Sequence, residues 1–163
     1  MGQSCSREYD NCLRINPTQE SHLDRWRLLL ARRRIAIEDC MRVLIIDDSE
    51  ILAQCLMLSL GEVAGLEVVG HAENVSDGIR KIRNSKPNAV VLDICMPDGT
   101  GMEVLESLKE NPYPPIVIIL SNYDYPQFRR KCLENGAHFY FDKSTEFHRV
   151  AEVLRNLMEV SAS

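Results

Sequence analysis

The sequence has no apolar run long enough to cross a membrane, which is the first limit on what the chain can do. A transmembrane helix needs about 20 consecutive apolar residues, and every apolar stretch among these 163 residues is much shorter. The N-terminus also lacks the continuous apolar segment of a signal peptide. Because hydrophobic residues make up 45% and charged residues 26% of the chain, we expect a globular cytoplasmic protein without membrane insertion.

Cysteine pairs at redox or zinc-binding spacing are also absent. The chain is long enough to build a core without crosslinks, so we expect free thiols rather than a disulfide framework. We expect two of the thiols, at Cys55 and Cys132, to be small core side chains, and that of Cys95 to lie in a loop. The six cysteines are scattered, at Cys5, Cys12, Cys40, Cys55, Cys95 and Cys132.

The chain has no excess of basic residues. Its formal net charge is −5 at pH 7, whereas nucleic-acid binding depends on clustered Lys and Arg. Residues 1–40 hold seven arginines and six acids, and residues 41–163 hold twelve bases and eighteen acids. We therefore expect no nucleic-acid partner.

The first 40 residues differ in pattern from the rest and are predicted to be an extension of the domain at 41–161. Residues 1–20 are polar and are expected to be disordered. An Arg-rich helix is predicted near 20–39, because Leu23, Trp26, Leu30 and Ile37 approximate one face. We expect this helix to pack on its own domain, in preference to a membrane surface or a partner protein. A further interpretation is that translation starts at Met41, directly before the first strand.

From residue 42 onward, short apolar segments alternate with segments of helical periodicity. Strands are predicted at 42–46, 66–72, 88–93, 116–120 and 137–141. Helices are predicted at 76–85, 101–110 and 126–135, with a last one carrying Phe147, Val150, Leu154 and Leu157. Ser49 is predicted to cap the first helix, whose apolar set is Ile51, Leu52, Cys55, Leu56, Leu60 and Val63. Five βα units imply a parallel sheet with helices on both faces.

Polar residues follow several of these predicted strands. In a parallel α/β sheet such residues meet at one edge, which would gather Asp47, Asp48, Asp93, Ser121 and Lys143. Grouped carboxylates repel one another, and Mg²⁺ with its preference for oxygen ligands relieves that repulsion. A lysine and a hydroxyl suit a tetrahedral oxyanion. The set favours phosphoryl transfer onto an aspartate, with Asp93 as nucleophile because it follows the middle strand.

Acidic residues after strands are also common as helix caps and turn formers. We expect that structural role, rather than a chemical one, for Asp98, Asp124 and Asp142. For the three carboxylates grouped with Lys143 we favour function, because strand-end carboxylates without a cation would be costly.

Four separated motifs together resemble the receiver domain of two-component response regulators. They are Ile46-Asp47-Asp48-Ser49, Leu92-Asp93-Ile94-Cys95-Met96-Pro97, Leu120-Ser121-Asn122 and Phe141-Asp142-Lys143-Ser144. The resemblance implies a flavodoxin-like, doubly wound (βα)5 fold with a five-stranded parallel sheet in the order 2-1-3-4-5. The resemblance covers residues 42–160.

The resemblance also implies a role for each matching residue. Asp93 matches the phosphorylated aspartate, and Asp47 and Asp48 match the acidic pair that binds Mg²⁺ with the backbone carbonyl of Cys95. The conserved hydroxyl and the invariant lysine match Ser121 and Lys143. The aromatic switch matches Tyr140, and the face that changes on activation would include Phe128, Arg129, Arg130 and Lys131.

Two residues depart from the family pattern. Asn122 stands where a small residue is usual after the hydroxyl position, which implies tighter access to the phosphoryl group. Ser144 stands where proline usually follows the lysine, often after a cis bond, so the sequence does not decide between a cis and a trans bond at Lys143–Ser144. Neither change removes a chemical group that the site needs.

The expected function is that of a single-domain response regulator, because the chain ends directly after the last predicted helix. It would accept phosphate on Asp93 from a sensor histidine kinase or phosphotransfer protein and signal to a downstream protein partner. It would not be an enzyme beyond self-phosphorylation and slow autodephosphorylation. One alternative is a receiver-fold interaction module that is not phosphorylated. A less favoured one is an aspartyl-phosphate phosphohydrolase, which usually has a second acid where this chain has Cys95.

Overall fold

A computed structural model describes residues 40–161, which form one α/β domain. The disorder predicted for residues 1–20 and the helix predicted near 20–39 lie outside the described residues. In the described range the strands are β1 (Met41–Ile46), β2 (Leu66–Ala72), β3 (Ala89–Leu92), β4 (Cys95–Met96), β5 (Gly99–Thr100), β6 (Ile116–Ser121) and β7 (Phe139–Asp142). The helices are α1 (Glu50–Gly61), α2 (Val75–Ser85), α3 (Gly101–Leu108), α4 (Pro126–Glu134) and α5 (Arg149–Ser161).

Five of the strands form one parallel sheet in the order β2-β1-β3-β6-β7. The short strands β4 and β5 form a separate antiparallel hairpin. Because this hairpin takes two numbers, β6 and β7 are the fourth and fifth strands of the main sheet in chain order. The predicted parallel α/β architecture is therefore confirmed.

The sheet separates two hydrophobic cores. Side chains alternate across a strand, so Val43 and Ile45 of β1 face one core while Leu44 and Ile46 face the other. Helices α1 and α5 cover the first core, and α2, α3 and α4 cover the second. Strands β1, β3 and β6 are apolar almost throughout because both of their faces are buried.

The predicted apolar set of α1 is wrong at two positions. Ile51 is 77% exposed and Cys55 is also exposed, whereas Ala53, Leu56 and Leu60 are buried. A helix on a sheet buries only one face, and α1 carries apolar residues on both. The predicted Ser49 cap is confirmed, since its hydroxyl accepts a hydrogen bond from the Leu52 amide at 3.4 Å.

Several boundaries differ from those predicted. Ala137 belongs to the turn after α4, where its amide donates to the Cys132 carbonyl at 3.1 Å, so β7 begins only at Phe139. Phe147 precedes α5 but still packs against the first core. β3 ends at Leu92, so Asp93 lies just beyond the strand.

Two remaining points concern membrane spans and the peptide bond after Lys143. Residues 40–161 include no helix whose length and apolar character would suit a bilayer span. No peptide bond in that range is cis, so the bond between Lys143 and Ser144 is trans.

Candidate functional site

Three carboxylates lie together at the carboxyl edge of the sheet. One ligand oxygen from each of Asp47, Asp48 and Asp93 lies within 4.8 Å of the other two. Asp47 follows β1 and is 2% exposed, Asp93 follows β3 and is 5% exposed, and Asp48 is exposed. The backbone sets these positions, because the Asp93 amide donates to the Ile46 carbonyl at 2.8 Å and so continues the pairing of the two strands.

Lys143 follows the outermost strand at the same edge of the sheet and contacts two of these carboxylates. It follows β7, and its Nζ lies 2.7 Å from Asp47 Oδ2 and 2.9 Å from Asp93 Oδ2. Its side chain is only 9% exposed, and its backbone amide donates to the Ser121 carbonyl at 3.0 Å. Residues after the first, third and fifth strands of the sheet, in chain order, are thus joined by two buried ion pairs.

Burial and charge oppose each other in this group. Burial raises the pKa of Asp93 above its usual value, and the hydrogen bond and charge of Lys143 only partly counter that rise. Burial lowers the pKa of Lys143, but the carboxylates of Asp47 and Asp93 outweigh it, so that pKa is raised. Lys143 is therefore a permanent cation at neutral pH.

Backbone amides hold the second oxygen of each buried carboxylate. Asp93 Oδ1 accepts from the Ile94 amide at 2.7 Å, and Asp47 Oδ1 accepts from the Ser49 amide at 2.8 Å. Because Lys143 holds the other oxygen of each group, both carboxylates are fixed in orientation.

The loop after Asp93 is held close to the start of α3. The Gly101 amide donates to the Ile94 carbonyl at 2.8 Å. A Cβ at Gly101 would lie 2.5 Å from the Asp93 carbonyl oxygen, so only glycine fits there without displacement. Cys95 begins the β4–β5 hairpin, opposite Thr100, instead of lying in a loop as predicted, and it is exposed.

Ser121 and Tyr140 are connected through the backbone of Tyr123. Both are fully buried; the Ser121 hydroxyl accepts from the Tyr123 amide at 3.2 Å, and the Tyr140 hydroxyl donates to the Tyr123 carbonyl. Burial raises the pKa of Tyr140 to about 12, so it is a protonated donor at neutral pH. The Arg129 guanidinium lies 5.1 Å from the centre of its ring.

The acids expected to be structural have different partners. Asp98 accepts from the Val75 and Ser76 amides at 2.7 and 3.1 Å and so caps α2. Asp142 accepts from the Ser144 and Thr145 amides in a turn, so both predictions are confirmed. Among residues 40–161 Asp124 caps no helix and accepts no turn hydrogen bond; its carboxylate instead pairs with the Arg129 guanidinium at 2.9 Å.

One contact near the site was not predicted. Glu146 lies 3.4 Å from Arg129 and accepts from the Asp142 amide at 3.0 Å, which joins α4 to the segment after β7. No sequence motif marks this pair, because its members lie on different elements and in no fixed spacing.

Comparison with known protein families identifies the type of domain that carries this strand-end cluster. The model of the response regulator receiver domain matches residues 43–155, most of the chain. The chain belongs to this family. The receiver motifs of the sequence and the strand-end cluster of the structure therefore describe one and the same site.

Known relatives place this receiver domain in context. The virulence-factor transcription regulator BvgA of Bordetella pertussis is 36% identical over 117 residues, which are 72% of this chain and 56% of BvgA. The chain thus spans about half the length of that curated relative.

Solved structures show the same fold. The response regulator domain of Thermotoga maritima CheB has a TM-score of 0.65 and 27% identity, covering 76% of this chain and 98% of that one. A CheX–CheY–BeF3–Mg²⁺ complex from Borrelia burgdorferi matches with a TM-score of 0.62 and 28% identity, covering 74% of this chain and 88% of that one.

The acidic pocket suits the Mg²⁺ that receiver domains bind. Its three clustered side chains offer only carboxylate oxygens, the hard donors that Mg²⁺ prefers. With all three ionised, the single ammonium of Lys143 leaves a net charge of −2, which a divalent cation would neutralise. The chemistry of the donor set therefore fits the ion.

Proposed function

We propose that this receiver domain is a phosphoacceptor switch in which Asp93 takes a phosphoryl group from a phosphohistidine. The donor would be a sensor histidine kinase or a phosphotransfer protein. The observation that carries the proposal is the contact of Lys143 Nζ with both Asp47 and Asp93 at the strand ends. In the step, the phosphorus–nitrogen bond of the donor breaks, a phosphorus–oxygen bond forms on the Asp93 carboxylate, and the imidazole leaves with the electron pair.

The residues around Asp93 divide the remaining work. The Ile94 amide and Lys143 orient the nucleophilic carboxylate, and the Lys143 ammonium is placed to pair with an oxygen of the transferred group. Ser121 would donate its hydroxyl to another oxygen. Asp47, Asp48 and the backbone carbonyl of Cys95 would hold Mg²⁺. When bound, the ion supplies positive charge to the transferring oxygens.

The output of the switch is proposed to pass through the face around Phe128 and Tyr140. The Tyr140 hydroxyl and the Ser121 hydroxyl both bond to Tyr123, so a change at Ser121 reaches the buried ring through one residue. Arg129 then links that ring to α4. The proposed target is a protein rather than nucleic acid, because the chain is acidic overall.

Single-domain signalling is part of the proposal, and residues 40–161 contain one receiver fold. The relative BvgA, by contrast, is a transcription regulator of which this chain covers 56%. An immunoblot of the cells that make the protein tests this point. A product close to 18.6 kDa is expected, and a product twice as large would contradict it.

Phosphorylation by acetyl phosphate with Mg²⁺, followed by mass spectrometry of the intact protein, tests the acceptor. We expect one phosphoryl group per wild-type chain and none on Asp93→Asn. Asp124→Asn is the matched control, because it removes an exposed carboxylate from another strand-end loop, and it should label like the wild type. Equal labelling of Asp93→Asn and wild type would refute the assignment. No labelling of the wild type would favour an unphosphorylated interaction module, and many turnovers would favour a phosphohydrolase.

Calorimetric titration with Mg²⁺ tests the metal assignment separately. Asp48 is exposed, so Asp48→Asn should fold normally while its Mg²⁺ affinity falls about tenfold or more, a loss of about 1.4 kcal/mol. Asp124→Asn should bind Mg²⁺ as the wild type does. An unchanged affinity in Asp48→Asn would exclude that carboxylate as a ligand.

Beryllofluoride with Mg²⁺ tests the switch. Amide chemical shifts of Ser121, Tyr123 and Tyr140 should change in the wild type and stay constant in Asp93→Asn. Shifts confined to the residues next to Asp93 would contradict transmission through Tyr140.

A further inference from the structure

Helix α1 leaves an apolar stripe uncovered on its outer face. The stripe consists of Ile51, Cys55 and Leu58, which are spaced four and three residues apart and so share one side of the helix. Ile51 is 77% and Leu58 is 75% exposed, and Cys55 is exposed as well. The other large hydrophobic side chains that stay exposed in residues 40–161 are all tyrosines. The α1 stripe is therefore the place where aliphatic surface is concentrated.

The stripe lies in the most acidic part of the domain. Residues 43–79 contain seven acids and no lysine or arginine. Two of these acids, Glu50 and Glu62, are exposed at the two ends of α1. A partner surface for this helix should therefore combine aliphatic or aromatic residues with positive charge.

The chain itself carries such a segment, attached beside α1. Between Arg25 and Arg34 lie five arginines and no acid, counting both ends, and Leu23, Trp26 and Leu30 repeat at helical spacing. Like the α1 stripe, these three residues cover a seven-residue interval. The spacing of the apolar residues in this segment matches that of the α1 stripe, and its positive charge is opposite to that of the acids around α1.

The point of attachment places this segment within reach. The Met41 amide donates to the Gly65 carbonyl at 2.8 Å, so the chain enters β1 beside the turn that follows α1. The ten residues from 31 to 40 span up to about 33 Å when extended. Helix α1, with 12 residues, is about 18 Å long. Leu23, Trp26 and Leu30 can therefore reach every residue of the stripe.

We propose that residues 23–30 pack across the α1 stripe of the same chain, with Leu23, Trp26 and Leu30 against Ile51, Cys55 and Leu58. The arginines of 25–34 then lie near Glu50 and Glu62. The stripe begins at the end of α1 that adjoins Asp48, so the docked segment also borders the edge of the sheet that holds the carboxylates. This docking does not depend on the phosphoacceptor role of Asp93.

Tryptophan fluorescence of the full chain tests the docking directly, because Trp26 is the single tryptophan. In the wild type we expect blue-shifted emission and weak quenching by acrylamide. Ile51→Ser and Leu58→Ser should shift the emission to the red and raise the quenching constant several-fold. Tyr113→Ser is the matched control, since Tyr113 is 74% exposed on another part of the domain, and should leave the emission unchanged.

Alkylation of Cys55 gives an independent readout from the other side of the contact. Trp26→Ser and Leu30→Ser should increase the alkylation rate of Cys55 several-fold, measured by peptide mass spectrometry. Cys95 is also exposed but belongs to the β4–β5 hairpin and not to α1, so it serves as the internal reference and its rate should stay constant. Far-ultraviolet circular dichroism of each variant confirms that the domain is folded.

Three results would overturn the proposal. One is a wild-type Trp26 as accessible to acrylamide as free indole. Another is a Cys55 rate that is unchanged in both segment variants. The third is protection of Trp26 that disappears on dilution, because the stripe would then be covered by a second copy of the chain.

Discussion

Lys143 supplies the positive charge that allows two buried carboxylates to coexist in one folded domain. Its side chain and those of Asp47 and Asp93 are each less than a tenth exposed. Removing one partner of such a group leaves the rest uncompensated in a site of low polarity. The same contact that points to the proposed chemistry is therefore also a structural contact.

Replacing Lys143 by methionine should lower the free energy of unfolding by roughly 3–5 kcal/mol in metal-free buffer. Mg²⁺ should restore part of the loss, since it returns positive charge to the carboxylates. Urea denaturation with and without the ion measures both effects. Lys109→Met is the control, because its pair with Glu106 is half-exposed and worth at most about 1 kcal/mol. Equal losses in the two variants would contradict the structural importance of the buried pair.

Sequence alone predicted the members of the strand-end group and misjudged other residues for identifiable reasons. Asp47, Asp93 and Lys143 each follow an apolar run, so strand ends could be found from local pattern. The exposure of Cys55 could not, because apolar residues occupy both faces of α1 and only the packed structure shows which face the sheet covers. The contact of Glu146 with Arg129 likewise depends on how α4 meets the segment after β7.

Among the helices, α2 is tied to the loop that carries the carboxylate of Asp93. The Asn74 side chain accepts a hydrogen bond from the Asp77 amide at 2.8 Å. The Asp98 carboxylate, from the β4–β5 turn, accepts from the amides of Val75 and Ser76. The helix start is thus capped both by its own chain segment and by the neighbouring loop. Asp98 thus links that loop directly to the first turn of α2.

Asp98→Ala should speed hydrogen exchange at the Val75 and Ser76 amides and lower the stability of the domain at neutral pH. These amides lower the pKa of Asp98 below its ordinary value of 3.8. A carboxylate with a lowered folded pKa stabilises above its ordinary pKa and loses that contribution as the pH falls through the lowered value. The stability difference between variant and wild type, measured by urea unfolding, should therefore be present at pH 7 and vanish at strongly acidic pH. A difference independent of pH would assign the effect to packing instead.

Helix α3 begins at a position where the acceptor loop leaves no room for a side chain. Gly101→Ala should displace the Asp93 backbone, lower the free energy of unfolding by about 1–3 kcal/mol and reduce phosphorylation. Gly61→Ala is the matched control, since nothing lies within 4 Å of a Cβ there. That control should keep full phosphorylation and gain up to about 1 kcal/mol from the better helix propensity of alanine. Normal labelling of Gly101→Ala would show that the loop tolerates the displacement.

At the scale of the molecule, the alternation of apolar strands and periodic helices was sufficient to predict a parallel α/β sheet. Hydrophobic runs specify strands that are covered on both faces, and crossover helices follow from that. The β4–β5 hairpin was not predicted, because two residues per strand leave no periodic pattern. Helices on both faces were predicted, but which helices share a face, with α1 and α5 together on one side, became clear only from the packing.

A cavity in either core should weaken the whole domain. Leu154 of α5 is fully buried in the first core, so Leu154→Ala should lower the free energy of unfolding by about 2–5 kcal/mol. Tyr113→Ala, at an exposed position, should change it by no more than about 0.5 kcal/mol. Thermal unfolding followed by circular dichroism measures both. A small loss in Leu154→Ala would mean that α5 contributes little to the cooperative unit.

The position of Lys143 after the last strand of the chain also has a consequence for folding during synthesis. The carboxylates of Asp47, Asp48 and Asp93 all come from the first three strands of the sheet, whereas their lysine follows the last one. A ribosome releases the chain from its N-terminus, so the negative residues emerge well before their countercharge. Contacts between distant parts of a chain form late and slow folding. Competence for phosphorylation should therefore appear only when synthesis has passed β7, so that incomplete chains do not compete for the donor.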